Sequence, residues 1–243
     1  MIPPSHPQYR TLVTRERMAH CAKNGIVSPE GLAAHGRGEA FDYLIGERTT
    51  DSALLAERTA AALLLSTSQP VISVNGNTAA LAAAQIAALQ NVSGAKVEVN
   101  LFHRTPSRVL AIERLLRNAG AEVFSGNEER LLPLPHDRAW CRRDGMYSAD
   151  VVLVPLEDGD RCMALVEMGK TVIAIDLNPL SRTARTANLT IVDELTRALP
   201  HITRACTELT KAERDHLIMS LDNHYLLTEA IREMTMRLSH ALD

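Results

Sequence analysis

The chain is poor in features that mark several classes of protein. Aromatic residues make up only 3% of its 243 residues, too few for the base-stacking surfaces on which single-strand nucleic-acid binders usually rely. The formal net charge is −3, so the basic excess of a nucleic-acid coat is missing as well. We therefore expect no nucleic-acid partner.

Long apolar runs and paired cysteines are also absent. No stretch approaches the roughly 20 apolar residues of a membrane-spanning helix, and the first residues show neither the charged nor the apolar region of a secretory signal. Cys21, Cys141, Cys162 and Cys206 are too widely spaced for a Cys-x-x-Cys zinc or redox motif. These absences predict a cytoplasmic protein with free thiols, no membrane partner and no protein-bound metal.

The familiar nucleotide and nucleophile motifs do not occur. Neither Gly-x-Gly-x-x-Gly nor Gly-x-x-x-x-Gly-Lys-[Ser/Thr] is present, which weakens the case for a dinucleotide fold and excludes a P-loop. There is no Gly-x-Ser-x-Gly elbow either. The residues left for chemistry are arginines, amides and acids. This set suits phosphate handling, where positioning and charge stabilisation do most of the catalysis.

The middle of the chain alternates short β-branched runs with helical patterns. Strand-like runs lie at residues 70–74, 96–101, 121–124, 150–154, 171–175 and 189–192. Such alternation predicts an α/β fold with a Rossmann-like, mostly parallel sheet flanked by helices. We expect this core at residues 67–208, between a helical N-terminal segment at 1–66 and a helical C-terminal segment at 209–243, all in one compact domain.

A glycine-rich segment interrupts the N-terminal helical pattern. Gly36 and Gly38 flank Arg37, with His35 and Glu39 on either side. We expect a loop there, in which a mobile backbone surrounds a fixed positive charge suited to phosphate oxygens. The alternative is a surface turn with a solvated arginine.

Polar residues follow three of the predicted strands, and ligands of open α/β sheets bind beyond the carboxyl ends of strands. The turn Asn75-Gly76-Asn77-Thr78 is either an ordinary turn with an asparagine cap or an anion site at a helix N-terminus. The loop at residues 155–161 holds three acids and an arginine, and could bind Mg²⁺ or an amine, or simply cap a helix. Residues 176–183 offer an acid, an amide and phosphate donors, which favours nucleotide binding.

These segments are similar to archaeal phosphopantothenate synthetase, also called 4-phosphopantoate–β-alanine ligase. The most distinctive blocks are His-Gly-Arg-Gly-Glu-Ala-Phe-Asp-Tyr at residues 35–43 and Asp-Leu-Asn-Pro-Leu-Ser-Arg-Thr at residues 176–183. In full, the similar blocks are residues 2–9, 15–16, 31–47, 74–78, 149–161, 172–184 and 190–193. They follow one another in order and span most of the chain.

The resemblance implies a reaction, its cofactors and an assembly. ATP, accompanied by Mg²⁺, activates the carboxylate of 4-phosphopantoate as an acyl-adenylate and releases pyrophosphate. The amine of β-alanine then expels AMP, which gives 4′-phosphopantothenate, a coenzyme A precursor. The family resemblance also implies a Rossmann-like fold and a homodimer. The partners are therefore two small-molecule substrates and a second copy of the chain.

The resemblance also implies residue roles. The nucleotide-binding positions are Arg15, Arg37, Asp176, Leu177, Asn178, Arg182 and Thr183. We expect the two N-terminal arginines on the ATP phosphates, with Arg37 also catalytic, and the Asp-Leu-Asn run at the nucleoside. Our own additions from the residues are Asn75, Asn77 and Thr78 for a substrate phosphate, and His35 as acceptor of the β-alanine proton, since imidazoles titrate near neutral pH.

Two other functions remain open on the residues alone. A nucleotide-dependent oxidoreductase could use a Rossmann-like sheet, although the missing glycine motif counts against it. A non-catalytic sensor would bind ATP without releasing AMP, and the arginines around the loops do not distinguish it from a ligase.

Overall fold

The structure is a computed structural model that describes residues 2–3, 5–6 and 8–241. The helices within these residues are α1 (Tyr9–Lys23), α2 (Pro29–Ile45), α3 (Asp51–Leu65), α4 (Gly76–Ser93), α5 (Pro106–Asn118), α6 (Gly159–Glu167), α7 (Arg182–Thr186), α8 (Leu195–Glu208), α9 (Lys211–Met219) and α10 (Asn223–Ser239). The strands are β1 (Pro70–Val74), β2 (Lys96–Val99), β3 (Glu129–Arg130), β4 (Trp140–Cys141), β5 (Val151–Pro155), β6 (Thr171–Ile175) and β7 (Leu189–Ile191).

Five strands form a parallel sheet in the order β2-β1-β5-β6-β7. The chain moves from β1 to β2 on one side and then returns past β1 to β5, so the strand order reverses between β1 and β5. In open α/β sheets ligands bind outside the carboxyl ends of the strands at such a reversal. The predicted fold class, a mostly parallel sheet flanked by helices with helices towards both termini, is confirmed.

The core lies on both faces of this sheet. Every residue of β1, β5 and β7 is buried, as expected for strands covered on two sides. One face packs against α3, α4, α5 and α8, whose many alanines let the helices approach closely. The other face packs against α6 and the segment at 132–149. A third apolar cluster joins α2 and α10 to the end of the sheet near β7.

The strand expected at residues 121–124 does not form. Only Val123 bridges to Val97 of β2. The chain then leaves the sheet, and a side chain of β2 binds the backbone of the segment that follows. Glu98 of β2 is fully buried and accepts hydrogen bonds from the backbone N–H groups of Arg142 and Met146, at 3.0 and 2.8 Å. The end of this sheet is thus capped by an irregular segment, which contains the two-residue ribbon β3–β4.

The expected glycine-rich loop at residues 35–44 is wrong, because these residues lie within α2. Ser28 caps the helix by accepting from the N–H of Gly31 at 3.2 Å, and the helix ends at Gly46 in the left-handed conformation. Glycine inside a helix costs roughly 1 kcal/mol relative to alanine, and the packing of Ile45, at the end of α2, in one buried cluster with Leu177 offsets this. Arg37 therefore projects from a helix and not from a mobile loop.

Within the described residues no helix combines the length and apolarity that crossing a membrane requires.

Candidate functional site

Polar residues stand at the carboxyl end of each main-sheet strand. Asn75, Asn100 and Asp176 come directly after β1, β2 and β6, and Glu157 and Asp193 come two residues after the ends of β5 and β7. Parallel strands present these ends at one edge, so the residues line a common surface. The helices α2 and α7 border this surface and carry two of the predicted arginines, Arg37 and Arg182.

Asp176 is held in a tight turn of its own loop. Its Oδ1 accepts from the backbone N–H of Asn178 at 2.9 Å, and its Oδ2 accepts from the Ser181 hydroxyl at 2.5 Å. Burial raises the pKa of Asp176, opposed by these hydrogen bonds and by the charge of Arg37. The charge of Arg37 on α2 thus acts on Asp176, although 139 positions separate the two residues in sequence.

The neighbouring predicted residues face different ways. The Leu177 side chain is buried with Ile45, so only the backbone of Leu177 is accessible to a ligand at this edge of the sheet. Asn178 accepts from the N–H of Leu180 at 2.9 Å through its Oδ1. This loop is thus preformed, with its side chains arranged by local hydrogen bonds.

Arg182 and Thr183 begin the short helix α7 beside the β5–α6 loop. Arg182 is more than half exposed and pairs with Asp160 at 2.7 Å. Thr183 is buried and donates from its hydroxyl to the carbonyl of Glu157 at 2.9 Å. Thr183 therefore fixes the position of α7, while Arg182 presents its charge to solvent.

The N-terminal arginines differ in their surroundings. Arg15 of α1 binds Glu39 of α2 with two parallel contacts, Nε to Oε1 at 3.2 Å and NH2 to Oε2 at 2.9 Å. Arg37 is exposed. His35, on the same helix, has a buried Nε2 with no hydrogen-bond partner among the described residues. Arg37 is the one arginine or lysine of α2, and its guanidinium has no hydrogen-bond or ion-pair partner among the residues that the structure describes.

The turn after β1 uses its side chains to hold the fold together. Asn75 Oδ1 accepts from the N–H of Thr78 at 2.9 Å, and its Nδ2 donates to the carbonyls of Pro155 and Leu156. The Thr78 hydroxyl reaches the Pro155 carbonyl at 3.2 Å, and Asn77 Nδ2 donates to the Gly31 carbonyl at 2.7 Å. What this turn offers a ligand is the backbone N–H groups of Gly76 and Asn77, because Asn75 already accepts from the N–H of Thr78.

The sequence analysis did not predict a group of buried ion pairs that lies near the point where the strand order reverses. Glu157 is buried between Arg138, at 2.9 Å, and Arg161, which also donates to Ser73 at 3.0 Å. Burial opposes the ionisation of Glu157, but the two guanidiniums outweigh it and lower the pKa. Arg161 is 0% exposed, and its Nε and NH2 have no hydrogen-bond partner among the described residues. The spacing of Glu157 and Arg161 was visible in the sequence, whereas the approach of Arg138 was not.

A second buried polar group lies beyond β7. Asp193 is fully buried and accepts from Thr49 at 2.6 Å and from Arg197 at 2.6 Å. Nearby, Glu57 of α3 is within 2.8 Å of the His201 ring. Burial raises the pKa of Glu57 to about 10, and Asp193 adds to the rise. Nothing in the local sequence pattern indicated this pairing of α3 with α8.

Comparison with known proteins identifies the family. The model of the phosphopantothenate/pantothenate synthetase family matches residues 52–237. The chain belongs to this family. A relative from Methanospirillum hungatei is 59% identical over 243 residues, covering 100% of both chains, and carries the name 4-phosphopantoate–β-alanine ligase.

Two further relatives carry the same name. The protein from Methanosarcina mazei is 56% identical over 96% of this chain and 94% of its own. The protein from Thermococcus onnurineus is 47% identical over 98% of this chain and 94% of its own. The predicted family is therefore confirmed, and the chain matches these ligases along nearly their whole length.

Proposed function

We propose that this chain is an ATP-dependent ligase that joins the carboxyl group of 4-phosphopantoate to the amine of β-alanine. The observation that carries the proposal is identity of 46–59% over almost full length to relatives named for that reaction. The arrangement of arginines and acids at one edge of a parallel sheet supports it, because phosphate chemistry is catalysed chiefly by positioning and charge. A homodimer in the cytoplasm is part of the same proposal.

The reaction proceeds through an acyl-adenylate in this proposal. A carboxylate oxygen of 4-phosphopantoate attacks the α-phosphorus of ATP, and the bond to the pyrophosphate leaving group breaks. The β-alanine nitrogen then attacks the acyl carbon, an amide bond forms and AMP departs. The ammonium of β-alanine must lose a proton before it attacks, and His35 on α2 is our proposed acceptor.

The nucleotide lies along the edge between β5 and β7 in this proposal. The exposed Arg37 and Arg182 bind phosphate oxygens, and the preformed loop at 176–178 binds the nucleoside through its backbone and the Asn178 amide. Arg15 acts less directly, because Glu39 already neutralises it. The N–H groups at the start of α4 bind a substrate phosphate, with Asn75, Asn77 and Thr78 shaping the turn around them.

Magnesium accompanies ATP in this proposal. Mg²⁺ takes oxygen ligands and is held chiefly by phosphates, with one or two carboxylates. The carboxylates of Asp158 and Asp160 lie beside Arg182 at the same edge, and this donor set fits the ion. When bound, Mg²⁺ neutralises charge on the phosphate oxygens.

The test is product formation with each substrate omitted in turn. The enzyme is incubated with ATP, 4-phosphopantoate and β-alanine, and AMP, ADP, pyrophosphate and the amide product are quantified. We expect AMP and the amide in equal amounts, and only when all three substrates are present. Pyrophosphate exchange into ATP with 4-phosphopantoate alone would support the adenylate.

Other products would revise the proposal in defined ways. ADP with inorganic phosphate would replace the adenylate by an acyl-phosphate while keeping the ligase. ATP binding without turnover would support a nucleotide sensor. A fluorescence change of NAD(P)H on adding the protein, with no AMP formed, would support an oxidoreductase.

A further inference from the structure

A three-residue cluster at the carboxyl end of β5 has the composition of a metal site. His136 precedes the short turn at 137–139, Asp158 is the N-cap of α6, and Asp160 lies in the first turn of that helix. One donor atom from each of the three lies within 4.8 Å of the other two. The cluster therefore joins the irregular segment before β5 to the loop after it.

His136 lacks the partners that a buried imidazole needs. Its Nδ1 and Nε2 are both buried, and neither has a hydrogen-bond partner in the part of the chain that the structure describes. The ring stacks on Phe102, with ring centroids 4.7 Å apart and planes at 31°, which fixes its orientation. Leaving a buried polar group unpaired costs roughly 1–3 kcal/mol. A ligand on one ring nitrogen would remove part of that cost.

Asp158 presents one oxygen to the same space. Its Oδ1 caps α6 by accepting from the N–H of Arg161 at 2.9 Å. Its Oδ2 is buried and makes no hydrogen bond with any described residue, and its ion-pair partner is the Nε of Arg138 at 3.2 Å. Arg138 is shared with the buried Glu157. One guanidinium therefore serves two carboxylates, and its contact with Asp158 is the longer of the two, at 3.2 Å against 2.9 Å for Glu157.

Asp160 provides access from solvent. Its carboxylate is 60% exposed and its partner Arg182 is 57% exposed. Exposed pairs of this kind contribute about 0–1 kcal/mol, so the contact exchanges readily. Among the described residues, Arg138 pairs with Asp158 and Arg182 pairs with Asp160, and of these two arginines the exposed Arg182 can move away.

We propose that His136, Asp158 and Asp160 form a binding site for a divalent cation of the first transition row. One imidazole and two carboxylates suit Mn²⁺, Co²⁺ or Zn²⁺ better than Mg²⁺, which prefers oxygen ligands and keeps its waters. Binding releases Arg182 from Asp160 and frees its guanidinium for an anion. The inference rests on the proposed function, because Asp158 and Asp160 are the carboxylates placed there at the Mg²⁺ of ATP. A titration without nucleotide tests the cation site alone, whereas AMP formation tests the ligase, so the two can fail separately.

The experiment is a titration of the full chain with Co²⁺, without nucleotide, followed by visible absorption and by calorimetry. We expect one equivalent to bind with a d–d band, and Mn²⁺ to compete for it. Asp158→Asn keeps the helix cap, because Asn and Asp cap equally well, and His136→Phe keeps the stack on Phe102. Each should weaken Co²⁺ binding at least tenfold, the scale on which altered metal surroundings act.

A matched control comes from another cap. Asp222 is the N-cap of α10 and accepts from the N–H of Tyr225 at 3.0 Å, so Asp222→Asn should leave Co²⁺ binding unchanged. Thermal unfolding checks that each variant is folded. If one of the site variants is not, Asp160→Asn takes its place in the titration. The proposal is overturned by Co²⁺ binding only in the millimolar range, by site variants that bind as tightly as wild type, or by a near-ultraviolet thiolate band, which would place the ion on a cysteine.

Discussion

The guanidinium of Arg197 donates to both carboxylate oxygens of Asp42, at 2.5 and 3.0 Å, across 155 positions of sequence. The same guanidinium reaches Asp193 Oδ1 through its Nε at 2.9 Å. One side chain thus ties α2 to the end of β7. Since α2 carries His35 and Arg37, Arg197 sets their position relative to the sheet edge, and it acts as a positioning residue.

Removing this tie should destabilise the protein strongly. Arg197→Met leaves Asp42 and the fully buried Asp193 without their cation, and breaking a buried pair from one side costs about 3–5 kcal/mol. We expect a loss of this size in urea denaturation, and a smaller loss for Arg197→Lys, which keeps the charge without the paired contacts. Arg232→Met breaks the exposed pair with Glu229 and should cost under about 1 kcal/mol. Equal losses for the two methionine variants would refute the positioning role.

Arg37 should matter for turnover and not for folding. Its side chain is exposed and its charge acts on Asp176, so Arg37→Ala removes a charge and little packing. We expect turnover in the AMP-release assay to fall at least a hundredfold, the scale of losing one charge-stabilising group, with stability within about 0.5 kcal/mol of wild type. Arg114→Ala, at an exposed position of α5, is the matched control and should turn over normally. Near-normal kinetics for Arg37→Ala would remove Arg37 from the mechanism.

Local signals in the sequence found most of the strands of the main sheet and the polar residues that follow three of them. Of the six strand-like runs, five form strands of this sheet, because β-branched composition is a local signal, and only the run at 121–124 does not. The segment at 35–44 was misread because Gly36 and Gly38 lower helix propensity locally. Packing of Ile45 of α2 with Leu177 and the Asp42–Arg197 contact stabilise the helix against that preference.

The buried charge groups could not be found in the same way. Arg138 meets Glu157 from an irregular segment, and Glu57 meets His201 across 144 positions. These contacts depend on how the helices pack on the sheet, and the hydrophobic periodicity of the sequence does not indicate that packing. Sequence reasoning therefore located the edge where the residues of the site gather, and missed the ion pairs beneath that edge.

A substitution of Asn75 tests whether this residue, in the turn after β1, stabilises the fold or binds the substrate. Its amide makes four hydrogen bonds: it accepts from the backbone N–H and the hydroxyl of Thr78, and it donates to the carbonyls of Pro155 and Leu156. At roughly 1 kcal/mol for each hydrogen bond, Asn75→Ala should cost about 3–4 kcal/mol of unfolding free energy. Thr210→Ala, which removes an exposed cap, should cost only about 1 kcal/mol. A stable Asn75→Ala variant with a raised KM for 4-phosphopantoate would instead assign the side chain to substrate.

Glu57 should make stability fall as pH rises. Burial raises the pKa of Glu57 to about 10, from an ordinary value of 4.5 in the unfolded chain. Between these values the folded state holds a proton that the unfolded state has lost. The stability contributed by this group is therefore complete below pH 4.5 and is lost progressively towards pH 10.

Glu57→Gln removes that titration while keeping a side chain that can bond His201. The groups facing position 57 are Asp193, Arg197, His201 and Arg204, and the variant leaves all four in place. We expect the variant to gain about 1–3 kcal/mol relative to wild type between pH 5 and pH 8, measured by urea denaturation at each pH. Glu208→Gln, at an exposed position of α8, should show no such trend. A difference between Glu57→Gln and wild type that stays constant over this range would mean that Glu57 is ionised in the folded protein.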